Sequence, residues 1–162
     1  YQVPFSNTFQ DIEDYIRTME ANGTKPEFEV YEVGMLNNIA YFLEKGILKG
    51  PVYVQFVLGI LGGLPATIDN LLFLYNTAKK QFGDNFVWSC AAAGKDQFDI
   101  VTTAMLLGGN IRVGLEDNLY LSKGVLAKSS AEQVSKIVNI AQLLDRKIAT
   151  PEEARKALNL MK

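Results

Sequence analysis

The sequence predicts an α/β fold built on a parallel sheet, and three observations predict it. Apolar, β-branched and aromatic runs alternate with segments whose apolar residues recur at helical spacing. The order is one helix, then four strand-helix units, then one extra helix, which calls for parallel strands joined by right-handed crossovers. The units are roughly 25 to 35 residues long, near the average repeat of a β/α barrel. Periodicity leaves two arrangements open, a small doubly wound sheet and half of an eight-stranded barrel.

Each element has its own signal. Phe9, Ile12, Ile16 and Met19 recur at helical spacing, and Asn22-Gly23 closes that helix. Pro26 to Tyr31 reads as a strand and Met35 to Leu48 as a helix ending in the Lys45-Gly46 turn region. Val52 to Leu58 is nearly all apolar, as expected of a strand buried on both faces. Gly59 to Pro65 is a loop, and Thr67 caps a helix reaching about Lys80. Phe86 to Ala91 is a third strand, Gln97 to Leu107 a helix and Asn110 to Gly114 a fourth strand. Two capping boxes follow, Ser130 with Gln133 and Thr150 with Glu153, the second with Pro151 at the first helical position. They open a long helix to about Leu144 and a short final one.

Composition narrows the function classes. A chain of 162 residues is one domain's worth and long enough for a sizeable core. A hydrophobic content of 48% and a charged content of 21% are ordinary for a globular protein. The formal charge of −2 gives no electrostatic reason to expect nucleic acid or an acidic membrane as partner. No apolar run approaches the roughly 20 residues that span a bilayer, and Tyr-Gln-Val-Pro-Phe lacks the pattern of a signal peptide. The single cysteine, Cys90, excludes an intrachain disulfide and fits a reducing cytoplasm. The absence of an initiating Met suggests a processed chain or a fragment. The absence of histidine removes the commonest general base and transition-metal ligand, so His-based triads and all-protein His-zinc sites are excluded.

Chemistry concentrates where strands are expected to end. Glu29 and Glu32 lie at the end of the first, Gln55 lies within the second, Gly94-Lys95 follow the third and Glu116-Asp117 follow the fourth. The densest stretch is Gly108-Gly109-Asn110-Ile111-Arg112-Val113-Gly114-Leu115-Glu116-Asp117-Asn118. Arg112, Gly114 and Glu116 share one parity, so an extended strand turns them to one side. Asp117 joins them only if the backbone turns there. From spacing alone this is either a site in which Glu116 offers an oxygen to a metal, or a surface acidic pair beside a structural arginine.

Glu27 and Glu29 share a strand face, and a buried carboxylate there needs a partner. Gly59-x-x-Gly62-Gly63 reads as a tight loop or as a cradle of backbone amides for a phosphate, without the Walker lysine. Gly108-Gly109 reads as a helix C-cap. Cys90 and Trp88 read as core.

These residues carry a resemblance. The stretches Pro26 to Met35, Val54 to Gly59 with Gly62-Gly63, Gly108 to Asn118, Lys123-Gly124 and Ala149 to Arg155 closely resemble those of the beta-keto acid cleavage enzymes, in collinear order. The resemblance implies a zinc-dependent (β/α)8 (TIM) barrel acting in amino-acid degradation. Such an enzyme converts an acyl-CoA, acetyl-CoA among them, and a β-keto acid into acetoacetate and a new acyl-CoA. It implies Glu116 as the carboxylate zinc ligand, Arg112 with Asp117 as the catalytic pair, and Glu29 as a substrate-binding residue lining the pocket. An arginine is a poor base because its pKa exceeds 12, so we expect Asp117 to orient Arg112 while the proton moves through water or substrate.

The departures are also informative. The family's two further zinc ligands form a His-x-His on an earlier barrel strand, and this chain has no histidine. Asn110 stands where a histidine is usual, and Lys95 where an arginine is frequent. The resemblance therefore implies the C-terminal half of the barrel, about four β/α units, as a single domain over residues 1–162. A half-barrel leaves its first and last strands with open edges and an apolar inner face uncovered. The expected partner is the N-terminal half or a second copy. Two rivals from other classes are a non-catalytic assembly module and a magnesium-dependent lyase using Glu116 and Asp117.

Overall fold

Four parallel strands pair in chain order: β1 (Glu27–Val30), β2 (Val52–Leu58), β3 (Phe86–Ala92) and β4 (Asn110–Ile111). They come from a computed structural model that describes residues 6–160, so the Tyr-Gln-Val-Pro-Phe segment lies outside the described residues. The helices are α1 (Phe9–Ala21), α2 (Gly34–Glu44), α3 (Ile68–Phe82), α4 (Gln97–Leu106), α5 (Ser130–Leu143) and α6 (Pro151–Ala157). The strand order 1-2-3-4 has no reversal, so the doubly wound alternative is ruled out among the described strands.

Parity divides the sheet into two unlike faces. Val52, Val54, Phe56 and Leu58 of β2 and Trp88, Cys90 and Ala92 of β3 point one way. There they join Leu36 and Phe42 of α2, Leu71 and Leu74 of α3 and Ile100 of α4 in one apolar cluster. Phe56 is fully buried and stacks at 5.4 Å on Trp88, which also meets Tyr75. Burying a side chain of that size contributes about 1.5–3 kcal/mol. The helices thus cover a single face, which is the arrangement that sequential right-handed crossovers produce.

The opposite face is not the apolar surface expected of it. In register across the strands it presents Glu29, Gln55 and Ser89, with Glu27 paired to Tyr53 one step earlier. Glu29, Gln55 and Ser89 form one polar layer on this face, the core residues occupying the alternate positions, and Val57 and Ala91 follow as an apolar pair one step on.

Several boundaries differ from expectation. β4 stops at Ile111 rather than Gly114. One more ladder bond, Arg112 N to Cys90 O at 2.9 Å, extends it; the chain then turns, with Gly114 O accepting from the amides of Asp117 and Asn118. β4 pairs only with β3 among the described strands, so nothing on its other side holds it extended.

A hairpin of β5 (Tyr120–Ser122) and β6 (Val125–Leu126) follows, unpredicted. Its turn carries Gly124 at φ +77°, a conformation glycine adopts without penalty. The long helix begins one residue off as well. Ser129, extended at φ −161°, is the N-cap and accepts from Glu132 N, so the Ser130-Gln133 box does not form. Gln133 is instead fully buried and donates to Asn118 O, while Ser130 Oγ accepts from Leu115 N at 3.3 Å. The Thr150-Glu153 box forms as predicted, and Thr8 with Asp11 makes another at the start of α1. Among the described residues no helix is long and apolar enough to cross a membrane.

Candidate active site

Arg112 lies one residue past β4 and makes the last ladder bond there, to Cys90 O, and its side chain reaches over the strand ends. Four side chains from three segments converge on it. One terminal nitrogen donates to Glu29 Oε1 at 3.0 Å and to Gln55 Oε1 at 2.9 Å. The other donates to Glu116 Oε2 at 2.7 Å and to Asp117 Oδ1 at 3.4 Å. Its Nε lies 3.3 Å from Asp117 Oδ2, an ion-pair distance outside hydrogen-bond geometry. The turn at Gly114 supplies this convergence: it brings Asp117, of the opposite parity, onto the same side as Arg112 and Glu116. Gly94 N then ties Asp117 O to the β3–α4 turn at 2.8 Å.

The two neighbouring carboxylates differ in what they contribute. Glu116 makes the shorter contact, but its side chain is 84% exposed, so solvent screening leaves that pair worth about 0–1 kcal/mol. Asp117 is 5% exposed and holds Arg112 in a drier setting, where the attraction is stronger. Burial pushes the Asp117 carboxyl above its ordinary value even though Arg112 pulls it down. For Arg112, burial disfavours the charge, but Asp117, Glu116 and Glu29 together outweigh it, so the guanidinium is held still more firmly protonated. Arg112 is a fixed cation here and not a base.

A second row of contacts lies behind these. Tyr31 OH donates to Glu29 Oε2 at 2.5 Å, and Gln55 Nε2 donates to Glu27 Oε1 at 2.9 Å. Burial, and then the hydrogen bond to Glu29, push the Tyr31 phenol up to about 12. Burial, and then the charge of Glu29, raise the Glu27 carboxyl.

The four residues singled out in the sequence, Glu29, Arg112, Glu116 and Asp117, therefore meet at one place. Glu32 does not join them and instead accepts from Gly34 N at the start of α2. Lys95 sits exposed in the single 3-10 turn Gly94–Asp96, and Asn110 donates to Trp88 O. Sequence reasoning missed Tyr31 and the role of Gln55. The signals were present: Tyr31 shares the parity of Glu29, and Gln55 is the one amide in an apolar strand. In the Gly59 loop, the amides of Gly59, Gly63 and Leu64 bond to Leu64, Ile60 and Tyr31 carbonyls, so these three serve the loop and not a phosphate.

A singly wound parallel sheet with a polar cluster at its strand ends defines the class of α/β proteins that place their sites there. Within that class the chain belongs to the beta-keto acid cleavage enzyme family, whose model matches residues 2–160. It is 45% identical over 156 residues to the 3,5-dioxohexanoate:acetyl-CoA acetone transferase of Paraburkholderia graminis, covering 96% of this chain and 50% of that protein. It is 37% identical over 158 residues to a 3-keto-5-aminohexanoate cleavage enzyme of Fusobacterium nucleatum, covering 98% of this chain and 56% of that protein. The chain spans about half the length of the curated relatives it matches. A solved binary complex of ObcA with oxaloacetate is similar in fold, with a TM-score of 0.71 at 21% identity over 94% of this chain and 41% of that one.

A zinc ion can be tested against the donors present. Zinc sites use three or four protein ligands, commonly histidine, cysteine or carboxylate. Among the described residues no three such side chains are grouped to hold a metal, and the sequence has no histidine. The residues of this chain do not complete a zinc site.

Proposed function

We propose that this chain is the C-terminal half of a TIM (β/α)8 barrel that cleaves β-keto acids. Joined to an N-terminal half, it converts acetyl-CoA and a β-keto acid into acetoacetate and a new acyl-CoA in a retro-Claisen manner, another acyl-CoA giving the corresponding β-keto acid. The observation that carries the reading is the guanidinium of Arg112 held by Glu29, Gln55, Glu116 and Asp117 at the carboxyl ends of the strands. Membership of the family, and relatives named as transferases that use acetyl-CoA, support it.

In this reading Arg112 and Asp117 are the catalytic pair, with the guanidinium held as a preorganised cation at the strand ends. Asp117 fixes its plane, and the proton moves through water or the substrate. Glu29, with its side chain 37% exposed, lines the substrate pocket. Zinc, when bound, would act as a Lewis acid on the keto group. Glu116 would be this chain's ligand for it, with two histidines supplied by the other half.

The test is acetoacetate release from acetyl-CoA and a panel of β-keto acids by the full-length protein, alongside its zinc content. Release that follows zinc supports the reading. Release that follows magnesium, or zinc-loaded protein with no release from any acid in the panel, contradicts it.

A further inference from the structure

We propose that Gln55 and Tyr31 are positioning residues that aim Arg112 and Glu29. The inference rests on the reading of the cluster as a catalytic site and names what holds it in place.

Gln55 is the polar residue of β2, 4% exposed in a strand otherwise filled with apolar and aromatic side chains. Register sets it beside Glu29 of β1 on one side and Ser89 of β3 on the other. Its amide orientation is fixed by chemistry at both ends. The Glu27 carboxylate accepts only, so it faces Nε2, and Arg112 donates only, so it faces Oε1. Of the four side chains on the Arg112 terminal nitrogens, three are carboxylates and Gln55 is neutral. It therefore fixes one nitrogen without adding to the negative charge already around the guanidinium.

Tyr31 acts one step further back. Glu29 has Oε1 on Arg112 and Oε2 on the Tyr31 hydroxyl, so both of its oxygens are directed by protein donors. Every terminal N–H of Arg112 meets an acceptor, and the ring of partners returns to β1 and β2 through Tyr31 and Gln55. A misplacement of about 1 Å at such a cation lowers turnover about 10²-fold.

The variants are Gln55→Met, which keeps the length and removes both hydrogen bonds, and Tyr31→Phe, which removes only the hydroxyl. In the full-length protein each is expected to lower kcat for acetoacetate formation, by about 10²-fold for Gln55→Met and about tenfold for Tyr31→Phe, with KM little changed. Nitrogen NMR of the Arg112 guanidinium should show slow rotation of its terminal amino groups in the unaltered protein and faster rotation in both variants. Folded variants with unaltered kcat and unaltered rotation overturn the proposal. If Gln55→Met does not fold, Tyr31→Phe decides alone. Faster rotation in the variants, with no acetoacetate from the unaltered protein, supports the positioning role and overturns the catalytic reading instead.

Discussion

Arg112 has its terminal N–H groups directed at acceptors, yet its partners are not equivalent. Replacing the 5%-exposed Asp117 with Asn keeps the shape and removes the charge that holds the guanidinium in its plane. We expect Asp117→Asn to lower kcat by about 10²-fold, read by steady-state acetoacetate formation; full turnover in that variant rejects the orienting role.

Tyr31 supplies a pH prediction whose sign is fixed by linkage. Its phenol stands at about 12 in the fold, against an ordinary 10.0. The folded protein therefore keeps a proton that the unfolded chain loses, so this contribution to stability is complete below pH 10.0 and is lost as pH rises through about 12. Urea unfolding midpoints should fall over that range, and Tyr31→Phe should fall less steeply. Cys90 gives a simpler expectation. It is fully buried and its thiol is pushed up to about 12 by burial, so a thiol reagent should label it only in urea-unfolded protein.

At the scale of elements, the caps decide where helices begin. Ser129 and Ser130 are adjacent, and either satisfies the sequence rule for an N-cap. Because Ser129 Oγ takes the Glu132 amide, Ser129→Ala should cost about 1 kcal/mol in urea denaturation, with Ser130→Ala costing less.

The same contrast explains what was legible beforehand. Arg112, Glu116 and Asp117 are five residues apart or fewer, so their meeting needed only a strand end and a turn. Glu29 announced itself as a carboxylate on a buried strand in want of a partner. Gln55 was visible as an amide among apolar residues, but its partners depend on the register that sets it beside Glu29, and register between parallel strands is a tertiary property. β4 was overextended because alternation in the sequence does not report the lack of a second neighbouring strand. The β5–β6 hairpin was missed because its strands are three and two residues long.

At the scale of the molecule, β1 and β4 are the outer strands of the described sheet, and the face opposite the helices carries the polar layer of Glu29, Gln55 and Ser89. Such edges favour further pairing. The cluster around Arg112 lies on that face, and among the described residues no three ligating side chains are grouped to hold a metal there. Under the proposed function, the fixed cation and the carboxylates around it form one part of a constellation whose remaining ligands come from an N-terminal half. Arg112→Lys tests this most directly, because lysine keeps the charge but not the planar fork. Acetoacetate formation from acetyl-CoA and a β-keto acid, measured in the full-length protein, should fall by about 10²-fold in kcat with KM little changed. Unaltered turnover in Arg112→Lys, under conditions where the parent protein is active, would contradict the placement of the reactive centre at Arg112.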